Sequence, residues 1–245
     1  MQLVEKVAIV TGAGAGIGRA IALKLAQEGA RVVVAEYVAE KAEAVAQEIR
    51  ASGHEALAIP TDVAREDSVQ AMLEQTLAHF GSVDLLVANA GIQRRYFVHE
   101  LSTAEFSAML SVNLLGVFQC SKAVLPGFYA RKSGNIIIIA SDSGKQGYAH
   151  NAAYCASKFG VLGFMESLAD EARAYKVRVN AICPAGVKTA MSASTPTLEG
   201  GLLDTRFFME PDEIADVVLF LATPQSRAIH GQTLQVYGGV DYQLL

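Results

Sequence analysis

The sequence predicts an α/β fold in which a doubly wound, mostly parallel sheet of seven strands carries helices on both faces. Three observations point there. Short β-branched runs alternate with longer stretches of helical period along the chain, the pattern of successive strand-helix-strand units. Several runs are apolar at successive positions, as strands covered on both faces require. A glycine-rich turn joins the first run to the first helical stretch. With 245 residues, 51% hydrophobic and 18% charged, the chain can build a large core, which excludes a disordered chain and a small stapled scaffold.

In chain order the strands are read at Val7 to Val10, Arg31 to Ala35, Glu55 to Ile59, Leu85 to Ala88, Asn135 to Ala140, Val177 to Ile182 and Thr233 to Val236. Helical periods occupy Gly16 to Glu28, Ala39 to Ala51, Asp67 to Phe80, Thr103 to Ala130, Ala153 to Ala174 and Pro211 to Ala222. Connections are short except at Ala190 to Met209, where Ser, Thr, Gly and Pro196 accompany Leu198, Leu202, Leu203, Phe207 and Phe208. A segment of that length inside a compact domain reads as a substrate lid at about 190–210. Without repeats or a Pro-rich linker, residues 1–245 read as one domain.

Charge and composition narrow the function. Twenty basic residues against twenty-five acidic give a net charge of -5 with no Lys/Arg cluster, so a nucleic-acid partner is not expected. Charged residues are expected to interrupt every apolar stretch short of the ~18 residues of a membrane span. Met1 to Lys6 lacks the features of a secretion signal, and a cytoplasmic protein is the expectation. Cys120, Cys155 and Cys183 are too far apart for a CxxC pair and read as buried, reduced thiols. His54, His79, His99, His150 and His230 show no H-x-x-x-H pairing, so no metal site is expected, and no G-x-S-x-G turn suggests a hydrolase.

The first strand runs into Thr11-Gly12-Ala13-Gly14-Ala15-Gly16-Ile17-Gly18. Glycines there permit close backbone approach, so that amide N–H groups and a helix N-terminus can face a pyrophosphate. G-x-G-x-x-G spacing fails, and Arg19-Ala20 replaces the Lys-Ser/Thr of a P-loop. What fits is T-G-x-x-x-G-x-G after the first strand, which resembles the cofactor turn of the classical short-chain dehydrogenase/reductase family, with its Rossmann-type fold.

The second strand ends at Glu36, twenty residues beyond Gly16. A carboxylate there can accept both hydroxyls of an adenosine ribose and would repel a 2′-phosphate. Two like charges ~4 Å apart at an effective dielectric of ~20 cost on the order of 4 kcal/mol, which favours NAD over NADP. Ala15 and Tyr37 stand where phosphate-binding relatives often carry Arg or Lys, and no compensating cation is apparent.

Tyr154 and Lys158 are four residues apart, so a helix places both on one face. At pH 7 only about one free phenol in a thousand is ionised, and an ammonium ~5 Å away at a dielectric of ~20 would favour the phenolate by roughly 3 kcal/mol, about two pKa units. Such a spacing also occurs on helices with the ring in the core and the amine in water. The resemblance gives it weight. Ala88-Asn89-Ala90-Gly91 is similar to the family's N-N-A-G, Asn113 lies in the long helix that follows, and Ser141 precedes Tyr154 by thirteen residues. Asn180 to Thr189 resembles the N-x-V/I-x-P-G-x-x-x-T segment beside the nicotinamide, and the match runs from Val7 to about Gly239.

The resemblance implies that Tyr154 is the general acid/base, that Lys158 holds the nicotinamide ribose and lowers the tyrosine pKa, that Ser141 positions the substrate oxygen, and that Asn113 supports a proton relay. It places Gly12, Gly14, Gly16, Ile17, Gly18, Glu36, Asp62, Val63, Asn89, Gly91, Pro184, Gly186, Val187 and Thr189 around the cofactor. Ala88, Ala185 and Tyr237 depart from the family pattern and put the nicotinamide and C-terminal loops in doubt. Arg94 and Arg95 follow the Asn89-Ala90-Gly91 turn, where a guanidinium pair would suit a substrate carboxylate, although a solvated loop pair is somewhat favoured; His150, four residues before Tyr154, is a second candidate near the substrate, with a loop histidine without chemical duty the favoured reading.

The expected activity is NAD-dependent interconversion of a secondary alcohol and a ketone on a sugar-derived, polyol or cyclic substrate, in a homotetramer built on the two long helices. Two alternatives stand beside it: a dinucleotide-binding sensor without turnover, and an NADPH-preferring carbonyl reductase with Glu36 turned away.

Overall fold

The computed structural model describes residues 1–193 and 208–238. Strand β1 (Val7–Thr11) leads through the glycine turn to α1 (Gly16–Gln27), and β2 (Arg31–Glu36), α2 (Ala39–Ala51), β3 (Ala56–Pro60), α3 (Glu66–Phe80) and β4 (Leu85–Ala88) follow. Beyond β4 come α4 (Thr103–Leu110), a π-helical turn at Ser111–Leu115, α5 (Gly116–Arg131) and β5 (Gly134–Ile139). The chain continues through α6 (Ala152–Ala172), β6 (Val177–Pro184), the single turn α7 (Ala190–Ala193), α8 (Pro211–Ala222) and β7 (Thr233–Val236). The strands form one sheet in the order β3-β2-β1-β4-β5-β6-β7, and every neighbouring pair is parallel.

The strand runs are apolar throughout because alternate residues feed opposite cores. In β5, Ile136 and Ile138 face a core shared with α3, α5 and α6, while Ile137 and Ile139 face the core beneath α1, α2 and α8. Strand β1 divides in the same way, Ile9 to one side and Ala8 with Val10 to the other. The winding direction reverses between β1, which pairs with β2, and β4, which pairs with β1 from the other side. Such a reversal opens a crevice beyond the carboxyl ends of the central strands, where ligands bind in doubly wound sheets.

The stretch read as one helix from Thr103 to Ala130 is divided by its π-helical turn, whose wider spacing shifts the facing of the residues within it. Contrary to the expectation that charges would interrupt it, Thr103–Arg131 is long and apolar enough to cross a membrane, with a mean hydropathy of 1.4. In the fold, 44% of that window is buried, and Val117, Cys120, Val124 and Phe128 pack into the sheet core. All three cysteines are buried free thiols. Most of the expected lid, including Pro196, Leu198, Leu202, Leu203 and Phe207, lies outside the described residues, as does Gly239.

Ile138 is fully buried at the centre of the sheet. Truncating it in Ile138→Ala leaves a cavity between strands and helices and is expected to destabilise the protein by about 2–5 kcal/mol, read as a lower urea midpoint.

Candidate active site

The glycine turn is held by contacts across the switch point. Thr11 Oγ1 accepts the backbone N–H groups of Asn89 at 3.0 Å and Ala90 at 3.1 Å. The Asn89 side-chain amide donates to the carbonyls of Thr11 at 2.9 Å and Gly12 at 3.2 Å. Asn89 therefore ties the ends of β1 and β4 together and shapes the turn. Gly12 has φ +63°, and an added Cβ would lie 2.8 Å from Ala90 Cα; at Gly18 a Cβ would overlap the Gly12 carbonyl oxygen. Helix α1 opens with no side-chain cap and no acidic residue in its first turn, so its leading N–H groups and positive dipole end remain available to an anion. The turn thus combines close backbone packing with an uncapped helix N-terminus.

Glu36, at the end of β2, reaches this turn. Its Oε2 accepts the Gly14 N–H at 3.0 Å and its Oε1 accepts the Val38 N–H at 3.3 Å. A Cβ at Gly14 would stand 2.7 Å from Glu36 Cγ and 2.8 Å from Lys41 Cβ. The sequence reading found no cation here, and the structure supplies one: Lys41, in the first turn of α2, has no ion-pair partner among the described residues. Linear order hid it, because Lys41 approaches the glycine turn only when α2 packs back on the sheet. Asp62 lies beyond β3, where its Oδ1 accepts the Ala64 N–H at 3.0 Å. The Val63 side chain is in the core and its carbonyl accepts Gln119 Nε2 at 2.8 Å, which leaves the backbone N–H as its means of meeting a cofactor.

Tyr154 and Lys158 lie on the opening turns of α6, Ser141 just beyond β5, and Asn113 at the centre of the π-helical turn. Lys158 Nζ sits 5.7 Å from the Tyr154 ring centroid and donates to the Ile139 carbonyl at 3.0 Å. Asn113 is fully buried; its Oδ1 accepts the Ile92 N–H at 2.8 Å, and its Nδ2 donates to Ile92 O at 2.9 Å and Ser157 Oγ at 3.1 Å. A Cβ on Gly91 would stand 3.3 Å from Asn113 Oδ1 and 3.8 Å from Lys158 Nζ, so these residues converge.

The electrostatics differ from the expected phenol-ammonium coupling. Desolvation pushes the Tyr154 phenol up to about 12, against the downward pull of its hydrogen bond with Ser141 and with further upward pushes from Asp142, Cys155 and Cys183. Desolvation also brings Lys158 down to about 8. The expectation that Lys158 lowers the tyrosine pKa by about two units is not met in this form, because burial penalises both charged groups and the ammonium is directed to the Ile139 carbonyl.

Two loops wall the site. Gln93 Nε2 donates to Asn151 Oδ1 at 3.0 Å, Tyr96 N–H to His150 O at 2.9 Å, and the Phe97 and His150 rings meet edge to face at 4.2 Å. His150 holds φ +66° in this contact. Arg94, considered for a substrate carboxylate, instead forms a bidentate pair with Glu105, both N–O distances being 2.7 Å. Arg95 is half-buried and directed to Ala149 O at 3.5 Å. Asp142, which the sequence reading passed over, lies within the site between Ser141 and Tyr148.

On the far side, Thr189 faces the glycine turn: a Cβ on Gly16, where φ is +52°, would lie 3.2 Å from Thr189 Cγ2. Pro184 ends β6, Gly186 packs under the Phe208 ring, and Val187 bridges to Met209. Ala185 lacks a positive φ, so its departure from glycine causes no backbone strain, and its N–H donates to Val236 O at 2.9 Å. Tyr237 accepts Gln235 Nε2 at 3.1 Å. Among the described residues no cluster of metal-ligating side chains occurs.

Residues 6–199 match the model of the short chain dehydrogenase family. The chain is 40% identical over 242 residues to a 3-oxoacyl-(acyl-carrier-protein) reductase of Staphylococcus epidermidis, covering 96% of this chain and 99% of that protein. It is also 40% identical over 240 residues to the cis-4-hydroxycyclohexanecarboxylate dehydrogenase of Sinomonas cyclohexanicum, covering 96% of each. Among solved structures, the 3-ketoacyl-(acyl-carrier-protein) reductase of Brucella melitensis complexed with NADH superposes with a TM-score of 0.88 at 33% identity, over 97% of this chain and 98% of that one.

A side chain at Gly18 would displace the Gly12 carbonyl and the Asn89 amide that closes the turn. Gly18→Ala is therefore expected to weaken dinucleotide binding by about tenfold or more in a fluorescence titration while the far-ultraviolet circular dichroism stays unchanged.

Proposed function

The chain belongs to the short chain dehydrogenase family, and from that membership we propose that it is an NAD-dependent oxidoreductase interconverting a secondary alcohol and a ketone, with Tyr154 as general acid/base. The observation that carries the reading is the meeting of Ser141, Tyr154 and Lys158 at the carboxyl edge of the sheet, beside a glycine turn shaped for a pyrophosphate. A nicotinamide dinucleotide held there would supply the hydride acceptor for alcohol oxidation and the hydride donor for ketone reduction. Gly12, Gly14, Gly16, Ile17 and Gly18 would hold the pyrophosphate, Glu36 the adenosine ribose, and Asp62 with the Val63 backbone the adenine. Asn89 and Gly91 would line its course, and Pro184, Gly186, Val187 and Thr189 would border the nicotinamide.

With its pKa near 12, Tyr154 is a proton donor at neutral pH, suited to protonate the oxygen of a ketone under reduction. Oxidation of an alcohol requires that Tyr154 first give up its proton. Lys158 and Asn113 would carry that proton away from the site through a bridging hydroxyl or water. Ser141 holds the substrate oxygen beside the phenol.

A cyclic or sugar-derived secondary alcohol is the substrate we favour. One relative of 40% identity is named for a cyclic hydroxy acid and another for a 3-oxoacyl thioester, and both chemistries interconvert a carbonyl and a secondary alcohol. Exposed Phe97 and Val98 give the entrance an apolar rim. Exposed Leu115, Phe118 and Phe159 on the long helices support a homotetramer formed through that face.

Lys41 favours a second reading, an NADP-preferring reductase in which this cation takes the 2′-phosphate and Glu36 stays on the Gly14 N–H. Titration separates the two. On the first reading the wild type binds NAD more tightly than NADP, and Glu36→Ala narrows the difference by about tenfold or more; preference for NADP that is lost in Lys41→Ala establishes the second.

Turnover is tested by following reduced-nicotinamide absorbance with cis-4-hydroxycyclohexanecarboxylate and with an acetoacetyl thioester. Tyr154→Phe is expected to lose about 10²- to 10⁴-fold in kcat with dinucleotide affinity retained. A Tyr154→Phe variant as active as the wild type overturns the acid/base assignment, and a wild type that binds dinucleotide but turns over no alcohol or ketone in a broad panel supports a sensor.

A further inference from the structure

The loop that carries Ser141 also carries a carboxylate held from two sides. Ser141 Oγ donates to Asp142 Oδ1 at 2.9 Å and accepts the Ser143 N–H at 3.2 Å. Ser143 Oγ donates to the same Oδ1 at 3.4 Å. Asp142 Oδ2 accepts the Tyr148 hydroxyl at 2.8 Å, and the Tyr148 oxygen accepts Gln146 Nε2 at 2.5 Å. The turn beneath is closed by its backbone, since Gly144 N–H donates to Ser141 O at 2.9 Å and Lys145 N–H to Asp142 O at 2.8 Å.

A serine hydroxyl has one hydrogen and two lone pairs. With that hydrogen committed to Asp142 and one lone pair taken by the Ser143 N–H, Ser141 has a single lone pair left for a substrate oxygen. An alcohol brings its own O–H to such an acceptor, whereas a ketone oxygen finds no donor in Ser141 and has the Tyr154 phenol alone. We propose that Asp142 is a positioning residue that fixes Ser141 as a hydrogen-bond acceptor, so that the site holds the alcohol of a substrate pair in preference to its ketone. The preference for the alcohol rests on the alcohol-ketone reading above, whereas the orientation of Ser141 does not.

The same arrangement bears on Tyr154. The groups acting on it are Asp142 and Ser141 from the loop after β5, Cys183 from β6, and Cys155 on its own helix; Lys158, also on that helix, is directed to Ile139. An ionised Asp142 disfavours the phenolate by its charge, and by drawing the Ser141 hydrogen to itself it competes with the hydrogen bond through which Ser141 favours that phenolate. Two substitutions separate these effects: Asp142→Asn removes the charge and keeps an acceptor for Ser141, whereas Asp142→Ala removes both.

The enzyme cannot alter the overall equilibrium, so the preference must be read in binding. Calorimetry on dead-end complexes measures cis-4-hydroxycyclohexanecarboxylate with the NADH-loaded protein and 4-oxocyclohexanecarboxylate with the NAD-loaded protein. The proposal expects Asp142→Ala to shift the affinity ratio toward the ketone by about three- to tenfold, the worth of one hydrogen bond, and Asp142→Asn to shift it less. An unchanged ratio in Asp142→Ala overturns it.

If neither compound binds the wild type, the substrate reading fails and the orientation of Ser141 is decided without substrate. Tyrosine labelled at Cζ with ¹³C, the Tyr154 signal assigned by its loss in Tyr154→Phe, is titrated upward in pH. Ionisation is expected to begin at lower pH in Asp142→Asn than in the wild type, and lower again by about half a unit or more in Asp142→Ala, where the freed Ser141 hydroxyl donates to the phenolate. Equal onset in the two variants overturns the proposal. Asp142→Val serves the same comparison if the alanine variant does not fold.

Discussion

The architecture of the site depends on a clamp between two parallel strands that are distant in sequence. Thr11 and Asn89, 78 residues apart, exchange hydrogen bonds through side chain and backbone at the carboxyl ends of β1 and β4. At that point the winding of the sheet reverses and the helices on either side diverge. The backbone must turn sharply there, and glycine permits the turn at Gly12 and the close packing at Gly18. By accepting the Gly14 N–H, Glu36 adds a third strand to the clamp. The turn is thus over-determined from β2 and β4 before any ligand arrives, a form of preorganisation.

Burial governs the chemistry next to that clamp. A phenol and an amine one helical turn apart would assist each other's ionisation in a polar medium, but here both lie against the sheet and each charged form loses solvation. The phenol rises to about 12 and the ammonium falls to about 8, each opposite to the shift that mutual stabilisation of the two charges would produce. The π-helical turn contributes to the crowding. It places Asn113 beside Gly91 and within reach of Ser157, and so fills the space behind Lys158 with a hydrogen-bonded amide.

The sheet was legible in the sequence because two-sided burial leaves a continuous apolar run, and the seven strands fall close to where those runs lie. The residues of the candidate site could be picked out because their spacing or chemistry is local: four positions on a helix, a glycine turn after a strand, an acid at the end of the next. What escaped were facts that require packing. Lys41 meets the glycine turn only across the contact of α2 with the sheet, and Arg94 is claimed by Glu105 from a neighbouring helix. The division of the long helix was hidden as well, because a π-helical turn changes hydrogen bonding without any residue that announces it.

Asp142 was invisible for a different reason. A single acid after a strand reads as a solvated turn residue, and its meaning lies in the direction of one hydrogen, which follows from what surrounds Ser141. The Ser143 N–H occupies one Ser141 lone pair, the carboxylate takes the hydrogen, and Tyr148 secures the carboxylate from the other side. Each bond limits the choices left to the next, so the polarity presented to a substrate oxygen is set by the turn as a whole. A site of this kind can keep every residue of a family pattern and still differ in which partner of a redox pair it holds, because orientation, unlike residue identity, is written in the neighbours.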